Sequence, residues 1–257
     1  FSKFFGKKTK QDEMENKLQS LIKGLNSKSQ LTDIEACAQC YNNLNNSSEK
    51  FFSFSIKKDL VQFLQYLIPA ATSVLAQDFE SPDIFTCLES ISSFIQKDKD
   101  EAQNLYQLTT LILSSTNKFV LSKSRSILQN FTMNAHYCEQ FVGQNFLAIY
   151  KIGDSIDKAN SNLSYFLLQK CIERTKSILN QQIINEVNQH LPDSSSDHLN
   201  LVATICLYSK IQPDFDSFNQ EIKKINDCSS YEILHSANNS MAKSKILELC
   251  RNPNNEL

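Results

Sequence analysis

Residues 126–150 read Ser126-Ile-Leu-Gln-Asn-Phe-Thr-Met-Asn-Ala-His-Tyr-Cys-Glu-Gln-Phe-Val-Gly-Gln-Asn-Phe-Leu-Ala-Ile-Tyr150. Ile127, Leu128 and Phe131 are spaced as one face of an α-helix. Tyr137, Phe141 and Val142 form a second, shorter set; Gly143 interrupts it, and Phe146, Leu147, Ile149 and Tyr150 open a third. A helix end, a short helix and a further helix are expected here. Leu128 also belongs to a longer series, Leu44, Leu88, Leu128, Leu168 and Leu207, and Leu147 to a second, Leu64, Leu108, Leu147, Val187 and Ile225. Both series advance by roughly forty residues, the second trailing the first by about twenty. A single amphipathic helix pair cannot bury both of its faces, so such units stack and share a core.

A period near forty with two long helices per unit is the signature of HEAT or armadillo repeats. Residues 126–150 resemble the armadillo pattern of a Leu-x-Asn-Leu helix end, a short helix, a glycine and a third helix. The other units read through Ile34, Cys37, Cys40 and Leu44, then Leu60, Phe63, Leu64 and Leu67; through Ile84, Leu88, Ile91 and Ile95, then Leu105, Leu108 and Leu111; through Phe166, Leu167, Leu168, Cys171 and Ile172, then Ile183, Ile184 and Val187; and through Leu199, Val202, Ile205 and Cys206, then Phe218, Ile222 and Ile225. No run alternates apolar and polar residues between turn dipeptides, so no sheet is assigned. The expected fold is all-α, a right-handed α-solenoid of about five armadillo/HEAT-like repeats. It is expected as one domain over 11–251, between a Phe/Lys-rich tail at 1–10 and a short tail at 252–257, with Leu234–Leu249 as a terminal helix pair. A first helix through Met14, Leu18, Leu21, Ile22 and Leu25 frays near Gly24 and Asn26. Thr32-Asp-Ile-Glu35 reads as a capping box, and Ser81-Pro82-Asp83 as a helix start with Ser81 at the N-cap. Pro69, Pro192, Pro213 and Pro253 mark breaks in the apolar periodicity.

Composition narrows the function. Four glycines are few for 257 residues, and nucleotide-binding α/β folds spend glycine on phosphate loops. The net charge of −2 lacks the basic footprint of general nucleic-acid binding. No stretch of 18 or more apolar residues is present, and Phe1-Ser-Lys-Phe-Phe-Gly-Lys-Lys8 lacks the apolar core of a signal peptide, so a cytoplasmic protein is expected. Residues 1–10 could give only weak membrane-surface contact; capping of the first repeat by Phe4 and Phe5 is the preferred reading. The eight cysteines lie in apolar helical patterns and read as small buried hydrophobes. Cys37-Ala-Gln-Cys40 has no second ligand pair and no βαβ context, and reads as two core positions. His136, His190, His198 and His235 form no metal-ligand spacing. No phosphate loop, nucleophile elbow or dinucleotide fingerprint occurs. No catalysis, metal or cofactor is expected.

A helical-repeat stack offers a long groove lined by the last helix of each unit. Candidates for partner contact on the outward faces of the late helices are Tyr150, Lys151, Tyr165, Lys170, Arg174, Asn185 and Gln189. A protein partner on the concave face is the leading expectation. The alternative is a structural solenoid subunit of a cytoskeletal or trafficking assembly.

Three segments resemble the Mo-twenty-five scaffold proteins, also called calcium-binding protein thirty-nine: Phe4-Phe5-Gly6-Lys7-Lys8 before the first helix, Cys138–Tyr150 in the middle repeats, and His190–Ala203 as an inter-repeat turn followed by an apolar helix. The register continues through Pro213. The resemblance implies a non-catalytic adaptor that binds sterile-twenty type kinases and a related pseudokinase and holds the kinase fold active. It also implies a pocket in the later repeats for a partner's Trp-Glu-Phe tail, with basic residues on the helix at Ser164–Arg174. Lys170 stands at one of these basic positions; the preceding one falls at about Phe166. Such activation is a population shift, set by the scaffold's differential affinity for the closed kinase.

Overall fold

A computed structural model describes residues 2–46, 54–95, 99–143, 145–154, 157–189, 195–210 and 220–221. Every extended regular element among them is an α-helix: α1 (Ser2–Gly24), α2 (Leu31–Asn46), α3 (Phe54–Ala76), α4 (Pro82–Ile91), α5 (Lys99–Leu113), α6 (Lys118–Phe131), α7 (Ala135–Phe141), α8 (Phe146–Asp154), α9 (Lys158–Thr175), α10 (Gln181–Gln189) and α11 (Ser196–Ser209). A 3₁₀ turn, Ser92–Phe94, closes α4. The chain divides into two compact units, residues 1–137 and 138–257. The second half of the fifth repeat, the terminal pair at Leu234–Leu249, Pro192, Pro213, Pro253 and the tail at 252–257 lie outside the described residues.

In the first unit α2 packs on α4, α4 on α6, and α3 on α5. Ile34, Cys37, Tyr41 and Leu44 of α2 are buried, as are Ile84, Phe85, Leu88 and Ile91 of α4 and Ile127, Leu128 and Phe131 of α6. Burying each of these large side chains contributes about 1.5–3 kcal/mol. Polar ties fix the register. The Asn42 amide donates to the Asp83 carbonyl and to its Oδ1, both at 3.0 Å. Thr109 and Tyr137 share a buried hydrogen bond of 2.8 Å. Of the anchor series, Leu44, Leu64, Leu88, Leu108, Leu128, Leu168 and Val187 are buried; Leu147 and Leu207 are half-buried, and Ile225 lies outside the described residues.

Helix boundaries differ from expectation at three places. The first helix already begins at Ser2, so residues 2–10, expected as a tail, continue α1. α2 starts at Leu31, one residue before Thr32, and its box is shifted: Asp33 Oδ2 accepts from the Gln30 N–H at 2.8 Å. Glu35 is thereby released, and its carboxylate accepts from Ser81 Oγ at 2.6 Å. Ser81 holds the N-cap of α4 with Pro82 following, yet its hydroxyl serves Glu35 rather than the helix. Pro69 does not end its helix; α3 runs through it to Ala76. Pro69 is exposed while Leu67, Ile68, Ala70 and Ala71 are buried on the opposite side, so packing holds the helix despite one lost backbone bond.

α3 stops at a Schellman motif: Asp78 is left-handed at φ 54°, its N–H donates to the Leu75 carbonyl at 3.2 Å, and the Phe79 N–H reaches the Val74 carbonyl at 3.0 Å. α9 and α11 end on left-handed lysines, Lys176 and Lys210, whose N–H groups donate to the carbonyls of Ile172 and Cys206. Their starts are also built. Asp157 caps α9 through the N–H groups of Ala159 and Asn160, Ser195 caps α11 through that of His198, and Asn117 caps α6 through those of Phe119 and Val120.

In the second unit α9 packs on both α8 and α11. Leu163, Tyr165, Phe166, Leu167, Leu168, Cys171 and Ile172 are all buried, so α9 is apolar nearly all round.

Candidate partner-binding surface

The seven candidate residues all stand in the second unit, but at different depths. Tyr150 is 0% exposed and Tyr165 8%. Both were expected on outward faces; they are interior residues, because α9 is covered on two sides and α8 presents Tyr150 toward it. The rings of Tyr150 and Tyr165 lie 5.2 Å apart and those of Tyr165 and His198 4.6 Å apart. The Tyr150 hydroxyl and His198 Nε2 share a hydrogen bond of 2.7 Å. His198, which sequence reasoning set aside as having no metal spacing, is thus the polar centre of a buried aromatic cluster. Its spacing of nearly fifty residues from Tyr150 leaves no local pattern to read.

The remaining candidates are at or near the surface. Lys151 Nζ sits 2.7 Å from Glu186 Oε1 and ties α8 to α10. Exposed pairs of this kind contribute under about 1 kcal/mol. Asn185 and Gln189 are exposed on α10, whose Ile183, Ile184 and Val187 face inward; Asn185 Oδ1 accepts from the Gln181 amide at 2.8 Å. The ion pair brings Lys151 to α10, and Asn185 and Gln189 stand on that same helix. Lys170 and Arg174 stand on α9, Arg174 exposed and Lys170 paired with Glu173 Oε2 at 2.7 Å, while the Gln169 amide takes the other oxygen of Glu173. Sequence reasoning did not single out four large apolar side chains that are exposed among the described residues: Phe79 (56%), Phe119 (38%), Met133 (50%) and Ile178 (74%). Each stands at or next to a helix end, and Lys123 Nζ lies over the Phe119 ring, 5.9 Å from its centre.

Five of the six described cysteines lie where the core reading puts them; Cys228 and Cys250 lie outside the described residues. Cys37, Cys87, Cys138, Cys171 and Cys206 are buried and Cys40 half-buried, and none of these six is in a disulfide. Loss of solvent, with smaller effects from Cys40 and Asp33, pushes the Cys37 thiol up to about 11. Burial likewise raises Cys206 to about 12. Cys171 is raised by burial and by its hydrogen bond with Cys138. A thiol held protonated is a poor nucleophile and a poor metal ligand. Among the described residues no group of three or more His, Cys, Asp or Glu could hold a metal ion, and no helix is long and apolar enough to cross a membrane. No family model, curated protein or solved structure matches this chain.

Proposed function

We propose that this chain is a non-catalytic protein-binding scaffold, an α-solenoid of armadillo/HEAT-like repeats acting in the cytoplasm. The observation that carries this reading is the packing order in the first unit: α2 on α4 on α6 in one layer, α3 on α5 in the other, with the forty-residue anchors buried between them. Consecutive helix pairs stacked side by side leave a broad outer surface, which suits polypeptide recognition better than enclosure of a small substrate. The chemistry of the interior supports the same reading. Burial raises the thiols, and His198 is engaged by Tyr150. The partner proposed from the Mo-twenty-five resemblance is a sterile-twenty type kinase or pseudokinase. It would be held through Lys151, Lys170, Arg174, Asn185 and Gln189, with the two tyrosines supporting the surface from within.

The test is calorimetric titration of the full chain with a purified sterile-twenty type kinase, alongside a Lys151→Glu/Arg174→Glu variant. Binding that raises kinase turnover and weakens at least tenfold in the variant is the expected result. If the kinase fails to bind the wild type, the kinase assignment is overturned. Equal binding by both forms moves the contact away from these residues.

A further inference from the structure

Cys138 and Cys171 stand on different helices of the second unit, α7 and α9, and both are fully buried. Their thiols share a hydrogen bond. The other described thiols are placed differently. Cys37 on α2 and Cys87 on α4 act on one another through charge alone, and Cys40 follows Cys37 by one turn of the same helix. Burial alone acts on Cys206. A disulfide needs an S–S distance of about 2.05 Å and Cβ atoms about 3.5–4.5 Å apart. Thiols already in contact, on two separate helices, have only the last part of that approach to make.

The two helices differ in how firmly they are held. α9 packs on both α8 and α11. α7 has only 7 residues, Ala135–Phe141, and Gly143 follows it at φ 114°. A short helix opens locally at lower cost than a long one buried along most of its length. Cys138 therefore meets solvent and reagents before Cys171 does.

We propose that Cys138 and Cys171 are a latent redox staple: when α7 opens in the presence of a small-molecule disulfide, the two thiols oxidise to a disulfide that ties α7 to α9. In the closed fold burial keeps the oxidant out and the pair stays reduced. On opening, the Cys138 thiol gives up its proton, and its thiolate attacks one sulfur of the oxidant. The oxidant's S–S bond breaks, and one half leaves as a thiolate and takes up a proton. Cys171 then loses its proton and attacks the Cys138 sulfur of the mixed disulfide, expelling the second half, which is protonated in turn. Two protein thiols give up two electrons, and one small disulfide is reduced to two thiols. The new bond closes residues 138–171 into a loop that contains the whole of α8. It restricts the unfolded chain and so stabilises the folded one. The proposal rests on the sulfur contact and stands whether or not the kinase reading does.

The full chain is incubated with oxidised glutathione, with and without urea well below the unfolding midpoint. Remaining thiols are alkylated, and the digest is mapped without reduction by mass spectrometry. Cys138–Cys171 is expected as the main cross-link among the six described cysteines, formed slowly in buffer and faster in dilute urea. The oxidised chain is expected to melt roughly 5–10 °C higher, and dithiothreitol to reverse the shift. Cys171→Ala is expected to lose the shift and to halt with glutathione on Cys138. Because that truncation could itself loosen the core around Cys138, the wild-type map and the reversible shift decide the matter. Four results overturn the proposal: no Cys138–Cys171 cross-link, a wild type that halts at the mixed disulfide, a cross-linking rate that urea leaves unchanged, or an oxidised chain that melts below the reduced one.

Discussion

Lys176 shows how a single position is tuned. It closes α9 at φ 53°, where a Cβ crowds the following carbonyl, a strain of about 1–2 kcal/mol that glycine avoids. Lys176→Gly is expected to raise the urea midpoint by about 1 kcal/mol of stability with an unchanged slope. Lys176→Val lowers it, since a branched side chain fits that region least. The thiols give a residue-level prediction about pH. Cys37 and Cys206 ionise at about 11 and about 12 in the folded chain against 9.0 when unshielded. A folded value above the unfolded one means that stability is complete below pH 9 and declines as pH climbs toward those values. The melting temperature should therefore fall as pH rises from about 9 to about 11. A Cys37→Ala/Cys206→Ala variant, starting from a lower melting temperature, should lose less over that range. Cysteine burial was legible in the sequence because it follows helical periodicity. The burial of Tyr150 and Tyr165 was not, because an amphipathic tyrosine reads equally well as surface or interior until the covering helix is known.

Among the helices, the apolar anchors were the readable part. Leu88, Leu108, Leu128 and Leu168 are fully buried, while Leu147 and Leu207 of the same series are half-buried. Boundaries were less readable, since several polar residues near each helix start compete for the same N–H groups. Thr32 and Glu35 fit a box by spacing, but Asp33 wins it because the helix begins a residue earlier and Ser81 claims Glu35. Pro69 misled because proline's cost is local while the burial around it spans the whole of α3. Asp157 tests the value of a cap: it serves two N–H groups of α9, at 2.7 Å and 3.1 Å. Asp157→Ala is expected to cost about 1 kcal/mol, with Asp157→Asn nearly silent, measured by chemical denaturation.

At the scale of the molecule, the all-helical class was legible from the period alone, and the candidate surface only in part. Lys151, Asn185 and Gln189 are exposed, whereas Tyr150 and Tyr165 are interior, and the Lys151–Glu186 pair between α8 and α10 leaves no local pattern in the sequence. The division at residue 137 falls inside α7, in the stretch whose reading suggested the repeat. The scarcity of glycine has a consequence for temperature. Asp78, Lys176 and Lys210 occupy corners where glycine would sit without strain, but each also stiffens the unfolded chain and reduces the entropy it gains on unfolding. Warming enlarges that entropic effect and leaves the steric one nearly unchanged, so these three corners weaken the fold most in the cold and least near its melting point.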